Sequence, residues 1–414
     1  MVWARPAAHS STRAGVLLAR ECADYWCGRE LSLISDSGSD ALSDSAEKDL
    51  HFFLIWPVAR DHEDEIRDFL ASRFDILAEV EITWPLGQAG RNYNRLYARN
   101  LHNRWSREMS AGSGPSRMIV LQDRRPHYGL EMSASGEVGF ANLNITAAKR
   151  SLRKLVRSEY RYGVHSSTTP SEFRRDVALI LGVDALHLLY AAVDLDGRPV
   201  LPDLVTSDGL VGAAGWESWE ELFTTLAVTD DFVVLSSSSA LNSTAQMGDV
   251  DILVRSIWAF AAAANAQLEL PGSSKPRFIV SVDGHERLLD LSEPGDGRMP
   301  LLWQDRLLRA SPGSGARVFL ADDEYIPFRI FKILFQKPEG SWASLLRELA
   351  GETRRPVLED HEDAASFLAG FLVAEGLPLL GISPSHIGNS VGYELVDQHY
   401  RRISTQAEPS WLVF

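Results

Sequence analysis

Two aspartates one residue apart in an apolar stretch, Asp249-Val250-Asp251-Ile252-Leu253-Val254, constrain this chain more than any other feature. This short run, rich in β-branched Val250, Ile252 and Val254, reads as a strand, in which residues i and i+2 share a face. Asp249 and Asp251 are therefore expected to point together into one pocket while Val250, Ile252 and Val254 enter the core. Carboxylates held side by side repel one another, and a divalent cation between them removes that cost. The bland alternative is the solvent-facing edge of a half-buried strand.

A serine run, Ser236-Ser237-Ser238-Ser239, follows the apolar strand Val233-Val234-Leu235 and ends ten positions before Asp249. Hydroxyls and backbone N–H groups in such a turn can contact phosphate oxygens. A third acid, Asp290, falls on the return strand of a hairpin: strands over 276–282 and 286–291 flank an Asp283-Gly284 turn. Asp249, Asp251 and Asp290 together could hold divalent ions, Mg²⁺ or Mn²⁺. One ion would bridge the phosphates of a nucleotide and another would lower the pKa of an attacking hydroxyl.

Length and charge bound the reading. The 414 residues suggest two or three domains, and a 45% hydrophobic content with 11 tryptophans is enough for real cores. A formal net charge of -15 argues against a protein that coats nucleic acid, which needs a basic face. The two cysteines, Cys22 and Cys27, make neither a disulfide framework nor a zinc site and read as reduced thiols. The most apolar run, 364–382, is interrupted by Glu375, Gly376 and Pro378, so no transmembrane helix is expected. No basic segment followed by an apolar block stands at the N-terminus, and a soluble, cytoplasmic protein is expected.

The chain divides by composition into four parts. Residues 1–48 are rich in serine and aspartate and read as a flexible lead-in. Residues 49–185 read as an α/β accessory domain: a strand over 52–56, a helix over 61–74 with acids in its first turn, a strand over 76–84 and another over 118–121. Thr169 is a candidate N-cap with Pro170 at the first helical position, and Phe173, Val177, Ile180 and Leu181 form a buried stripe. The His165-Ser166-Ser167 turn before that helix could hold a phosphate, but helix caps are the commoner case, and His165 reads as a turn or packing histidine rather than a catalytic base. Residues 186–300 form the core around the acids, beginning with an apolar, loop-like stretch over 186–205 and including a helix over 216–226 and a small-residue helix over 257–264. Asp296, in Pro294-Gly295-Asp296-Gly297, reads as a turn residue rather than a ligand. Residues 301–414 read as mainly helical, with helices over 303–310, 327–336, 342–349 and 364–375; Lys337 reads as a helix-end cation. No phosphate-binding Gly-x4-Gly-Lys or dinucleotide-binding Gly-x-Gly-x-x-Gly sequence stands in the right setting.

The order strand, serine turn, Asp-x-Asp strand and third acid resembles the polymerase-β-like nucleotidyltransferase superfamily. A longer resemblance, from about His51 onward, is to nucleotidyltransferase-like proteins found with bacterial capsule and surface-polysaccharide genes. Its residues include Phe53-Leu54-Ile55-Trp56, Glu81-Ile82-Thr83-Trp84, Asp123, Asn142-Leu143-Asn144, His165-Ser166-Ser167 with Glu172 and Asp176, Gly248-Asp249-Val250-Asp251, Leu289-Asp290-Leu291, Trp303 and Asp323-Glu324-Tyr325-Ile326. The chain departs from those relatives at Ser236-Ser237, where they carry an arginine–asparagine pair, and at Lys332, where they tend to carry a histidine. The resemblance implies an α+β chain: an N-terminal α/β domain, a central mixed sheet of nucleotidyltransferase type with flanking helices, and a helical C-terminal region. It implies a Mg²⁺- or Mn²⁺-dependent enzyme that transfers a nucleotidyl or phosphoryl-linked group from a nucleoside triphosphate to a sugar, polyol or other small acceptor. In it Asp249, Asp251 and Asp290 bind metal, and Ser236, Ser237, Ser238 and Ser239 touch phosphate. Two alternatives stay open: a binding or scaffolding protein of the same fold without turnover, and a glycosyltransferase using a nucleotide sugar, in which Asp290 would lie far from Asp249.

Overall fold

The structure is a computed structural model and describes residues 49–84, 89–97, 111–112, 114–132, 138–156, 163–194, 204–206, 209–229, 231–235, 241, 249–269, 277–310, 319–320, 322–336, 361–377, 379 and 396–401. The lead-in over 1–48 with Cys22 and Cys27, the serines Ser236, Ser237, Ser238 and Ser239, Lys337 and the helix expected over 342–349 lie outside the described residues.

The chain is mixed α+β. It opens on β1 (Asp49–Ile55), an apolar run that, after Asp49, is buried at every position. A 3-10 turn (Pro57–His62) leads into α1 (Glu63–Ala71), whose acidic first turn suits the helix dipole and whose Ile66 and Leu70 are buried. Next come β2 (Asp75–Thr83), α2 (Ala89–Leu96) and β3 (Ser116–Asp123), then the hairpin of β4 (Tyr128–Met132) with β5 (Val138–Asn142). Asn142 caps α3 (Leu143–Leu155), its side-chain oxygen accepting from the N–H groups of Asn144 and Ile145. After β6 (Val164–Ser166), α4 (Pro170–Leu181) starts as the sequence predicts, with Thr169 as N-cap and Pro170 in the first turn. Gly182, at φ 91°, turns the chain into α5 (Val183–Asp194), and β7 (Leu204–Thr206) follows.

Five of these strands form one sheet in the order β6-β1-β3-β2-β7. The predicted strand–helix–strand unit is present, but β1 and β2 do not pair. Each lies antiparallel to β3 between them, giving a split β-α-β arrangement. Two segments differ from expectation. His165 and Ser166 belong to β6, which pairs with β1 through Leu54 and Phe53, rather than to a turn. Residues 186–194 are helical; α5 buries Leu186, Leu189 and Ala192 on one stripe but leaves the apolar Leu188 half exposed on another, so no clean polar face marks its period.

The second sheet holds the acids. After α6 (Trp219–Ala227), capped by Ser218, come β8 (Phe232–Val234), β9 (Val250–Val254), α7 (Ile257–Ala263), β10 (Gln267–Leu268), β11 (Arg277–Val282) and β12 (His285–Ser292). Their order is β10-β11-β12-β9-β8, with β9 and β12 parallel and the other pairs antiparallel. Asp283 and Gly284, at φ 53° and 70°, make the β11–β12 turn, as the Asp-Gly sequence predicts.

One apolar core runs between the two sheets, with Phe52, Leu54 and Val120 from the first and Val250, Ile252, Val280 and Leu289 from the second. Phe53, Ile55, Ile119 and Leu121, on the far face of the first sheet, pack against α1 and α3. The other face of the second sheet meets the C-terminal helices α8 (Leu301–Ala310), α9 (Asp322–Phe331) with its π-helical extension (Lys332–Gln336), and α10 (His361–Ala374). There Val233 and Leu253 join Trp303, Phe328, Phe331 and Leu368 in a separate core. Among the described residues, no helix is long and apolar enough to cross a membrane.

Candidate functional site

Strand alternation decides which way the acids face. Val250 and Ile252 on β9 and Leu289 and Leu291 on β12 enter the core between the sheets, so Asp251 and Asp290 turn to the side of the C-terminal helices. Parallel pairing sets Asp251 directly beside Asp290, one strand spacing apart, about 4.8 Å between backbones. Asp249 stands immediately before β9 and is bonded from Arg277, which lies opposite Asp290 on β11. The structure thus sets Asp251 and Asp290 side by side and links Asp249 to the same edge through Arg277. The backbone N–H of Leu235, the last described residue before the serines, donates to the Asp251 carbonyl at 2.8 Å.

Each acid has a cationic partner. Arg277 Nη2 donates to Asp249 Oδ1 at 2.9 Å, Arg298 Nη1 to Asp290 Oδ1 at 2.8 Å, and Lys332 Nζ to Asp251 Oδ2. Two carboxylates on neighbouring strands would repel if left alone. Here the repulsion is offset by positive charge drawn from three other elements. Arg277 and Arg298 also have a second acid within 3.7 Å, Glu269 and Asp296 respectively. Arg298 is aimed by the glycine turn before it: its backbone N–H donates to Asp296 Oδ1, and Gln304 holds the same oxygen and the N–H of Gly295. Asp296 is thus the turn residue the sequence predicts.

Sequence reasoning named Lys332 only as a departure from the family the chain resembles and did not single out Arg277 or Arg298. A signal for Arg277 was available, since a hairpin register fixed by Asp283-Gly284 puts it opposite Asp290. Aspartate oxygens are the donors that hard divalent cations take, so the donor chemistry suits Mg²⁺ or Mn²⁺. Among the described residues, no group of three or more His, Cys, Asp or Glu side chains lies in a metal-holding arrangement.

The residues quoted from the first sheet form a second polar cluster. His51, wholly buried on β1, approaches Ser167 Oγ through Nδ1 at 3.3 Å and Asn142 Nδ2 through Nε2 at 3.3 Å. Asn142 and Asn144 both donate to Asp123 Oδ2, at 3.0 and 2.9 Å. Glu172 accepts from the N–H and hydroxyl of Thr168 at 2.6 and 2.7 Å, which holds its carboxyl below the usual range against the opposing effect of burial. His165 packs against Phe52 and Tyr97 and meets Asp176 at 3.4 Å. Burial pushes its pKa down, with Asp176 opposing, so it is the packing histidine the sequence predicts. Lys149, on α3, donates to the Ser166 carbonyl at 3.0 Å, and burial lowers its pKa to about 8. These bonds tie the ends of β1, β3 and β6 to the starts of α3 and α4.

A comparison with protein-family models finds no match, and neither does a comparison with curated proteins.

Proposed function

We propose that the chain is a metal-dependent enzyme of nucleotidyltransferase type. It transfers a nucleotidyl or similar phosphoryl-linked group from a nucleoside triphosphate to a sugar, polyol or other small acceptor in the assembly of a surface polysaccharide or related glycan. The observation that supports this best is the register of Asp290 beside Asp251 on adjacent parallel strands, with Asp249 two residues away. A glycosyltransferase reading would keep Asp290 far from Asp249, and the adjacency of β9 and β12 disfavours it. Asp249, Asp251 and Asp290 would hold the Mg²⁺ or Mn²⁺, which when bound neutralises triphosphate charge and acidifies an attacking hydroxyl. Ser236, Ser237, Ser238 and Ser239, which follow Leu235 beside Asp251, are assigned to phosphate contact.

A second reading, a nucleotide-binding protein without turnover, is favoured by a specific observation: every one of the three acids already carries a basic partner. Thermal shift with nucleoside triphosphates and nucleotide sugars, each with Mg²⁺ or with EDTA, tests the main reading. Mg²⁺-dependent stabilisation by a triphosphate, lost in the Asp249→Asn, Asp251→Asn double variant, is expected. Lack of stabilisation by any triphosphate would sink both readings; triphosphate binding without any nucleotidyl product leaves the second.

A further inference from the structure

The basic partners of the acids differ in how they are held. Arg277 and Arg298 each bridge two carboxylates, so either can stay in place if one acid turns to another cation. Lys332 is different: among the described residues its ion pair is with Asp251 alone. It is also set in unusual surroundings. The run Ile330, Phe331, Ile333, Leu334 and Phe335 is buried in the C-terminal core, and Lys332 is the one charged residue within it. Its side chain is 12% exposed and Asp251's 25%. A lysine so placed gives up water, side-chain freedom and most apolar contact, and what it gains in return is Asp251. Lys332 also opens the π-helical turn, a widened turn that redirects side chains and is frequent at functional sites.

We propose that Lys332 is the resident counter-ion of Asp251 and competes with a divalent cation for that carboxylate, so that metal enters the acid face only as Lys332 withdraws. The inference rests on reading the three acids as a cation site and adds its control. An ammonium and a divalent ion on one carboxylate repel each other, so the two occupancies exclude one another electrostatically. The four-carbon stem lets the ammonium leave without moving the helix, which a guanidinium shared between two acids does not allow as readily. With Lys332 on Asp251 the Asp251–Asp290 repulsion is offset in the metal-free chain. With metal bound, the released ammonium becomes available to a phosphate group brought by the ligand.

The test measures Mn²⁺ binding directly, by the electron paramagnetic resonance signal of free Mn²⁺ and by calorimetry, with no turnover required. The proteins are the parent chain, Lys332→Met, Lys332→Gln, Asp251→Asn and Lys332→Met with Asp251→Asn, each checked for folding by circular dichroism. Both lysine variants are expected to bind Mn²⁺ at least about tenfold more tightly than the parent, as removal of one competing charge at contact distance predicts. Adding Asp251→Asn is expected to erase the gain. Equal Mn²⁺ affinity in the parent and the lysine variants, with Asp251→Asn weakening all of them, would overturn the competition while leaving the acids as a metal site. Absence of Mn²⁺ binding in the parent and in both lysine variants would instead overturn the metal-site reading and the competition with it. If Lys332→Met fails to fold, Lys332→Gln, which keeps a polar head, decides between these results.

Discussion

Replacing Arg95 with methionine tests whether the two sheets are held together as the structure indicates. Arg95 lies on α2 and is 2% exposed, yet its guanidinium donates to four backbone carbonyls. Two of them, Ala262 and Ala263 at 3.2 and 2.7 Å, are at the C-terminal end of α7, where carbonyls lack intrahelical partners. The others, Leu210 and Val211 at 3.3 and 2.6 Å, belong to the turn before α6. Burial, with a smaller push from Arg91, lowers the Arg95 pKa well below the usual arginine range, to about 9. That displacement corresponds to about 5 kcal/mol of hydration not recovered on folding. Four charge-assisted bonds at about 1.5 kcal/mol each return about 6, so the staple is nearly balanced in the native chain. Methionine fills much of the volume but takes the Arg95 donors from Val211 and Ala263, at about 1–2 kcal/mol each, whereas Leu210 and Ala262 still accept from the N–H groups of Ala213 and Asn265. The sum is a loss of about 2–4 kcal/mol. Arg95→Lys keeps the charge without the planar fork and is expected to recover less than half of it. Urea unfolding followed by tryptophan fluorescence and by circular dichroism measures both, with coincidence of the two probes checking that one transition is read. A loss below about 1 kcal/mol for Arg95→Met would refute the claim that these carbonyls depend on Arg95.

Lys149 makes stability depend on pH in a definite direction. Folded, it gives up its proton at about pH 8, whereas the unfolded chain keeps it to about 10.4, so the unfolded state binds more protons in that window and stability rises with pH through it. Between pH 7 and 9.5 the rise is worth about 2 kcal/mol, reduced towards about 1 by solvent around the half-buried side chain. Lys149→Met should lose that increment in urea titrations at the two pH values, and an identical pH slope in both proteins would be the adverse result. Asn142→Ala removes the α3 cap and the amide that donates to Asp123 and approaches His51, and is expected to cost about 2–4 kcal/mol. A thermal midpoint within about 1 °C of the parent would contradict it.

Local signals in the sequence account for most of the described elements. Buried strands 50–55 and 118–121 read as apolar runs, α4 is marked by Thr169 and Pro170, and the β11–β12 hairpin by Asp283-Gly284. What could not be read was pairing at a distance. The first sheet inserts β3 between β1 and β2, a choice made by core packing rather than by either strand. α5 escaped because apolar residues such as the exposed Leu188 stand outside its buried stripe and blur the polar face that reveals a helical period. His51 escaped for a related reason: inside an apolar strand, only the approach of Asn142 and Ser167, 91 and 116 positions away, makes it part of a network.

The acid face shows the same limit in electrostatic form. Asp249 and Asp251 stand out because they are neighbours in sequence, and Asp290 because it sits on a strand that a short turn predicts. Their counter-charges come from 28, 8 and 81 positions away, through a hairpin register, a glycine turn and a buried helix. Sequence proximity therefore displays the negative half of the site and conceals the positive half. A motif of carboxylates reports that negative charge is concentrated; whether a metal ion or the chain itself supplies the balance depends on tertiary contacts. In this protein such a contact sets the Lys332 ammonium, 81 positions away in sequence, against Asp251.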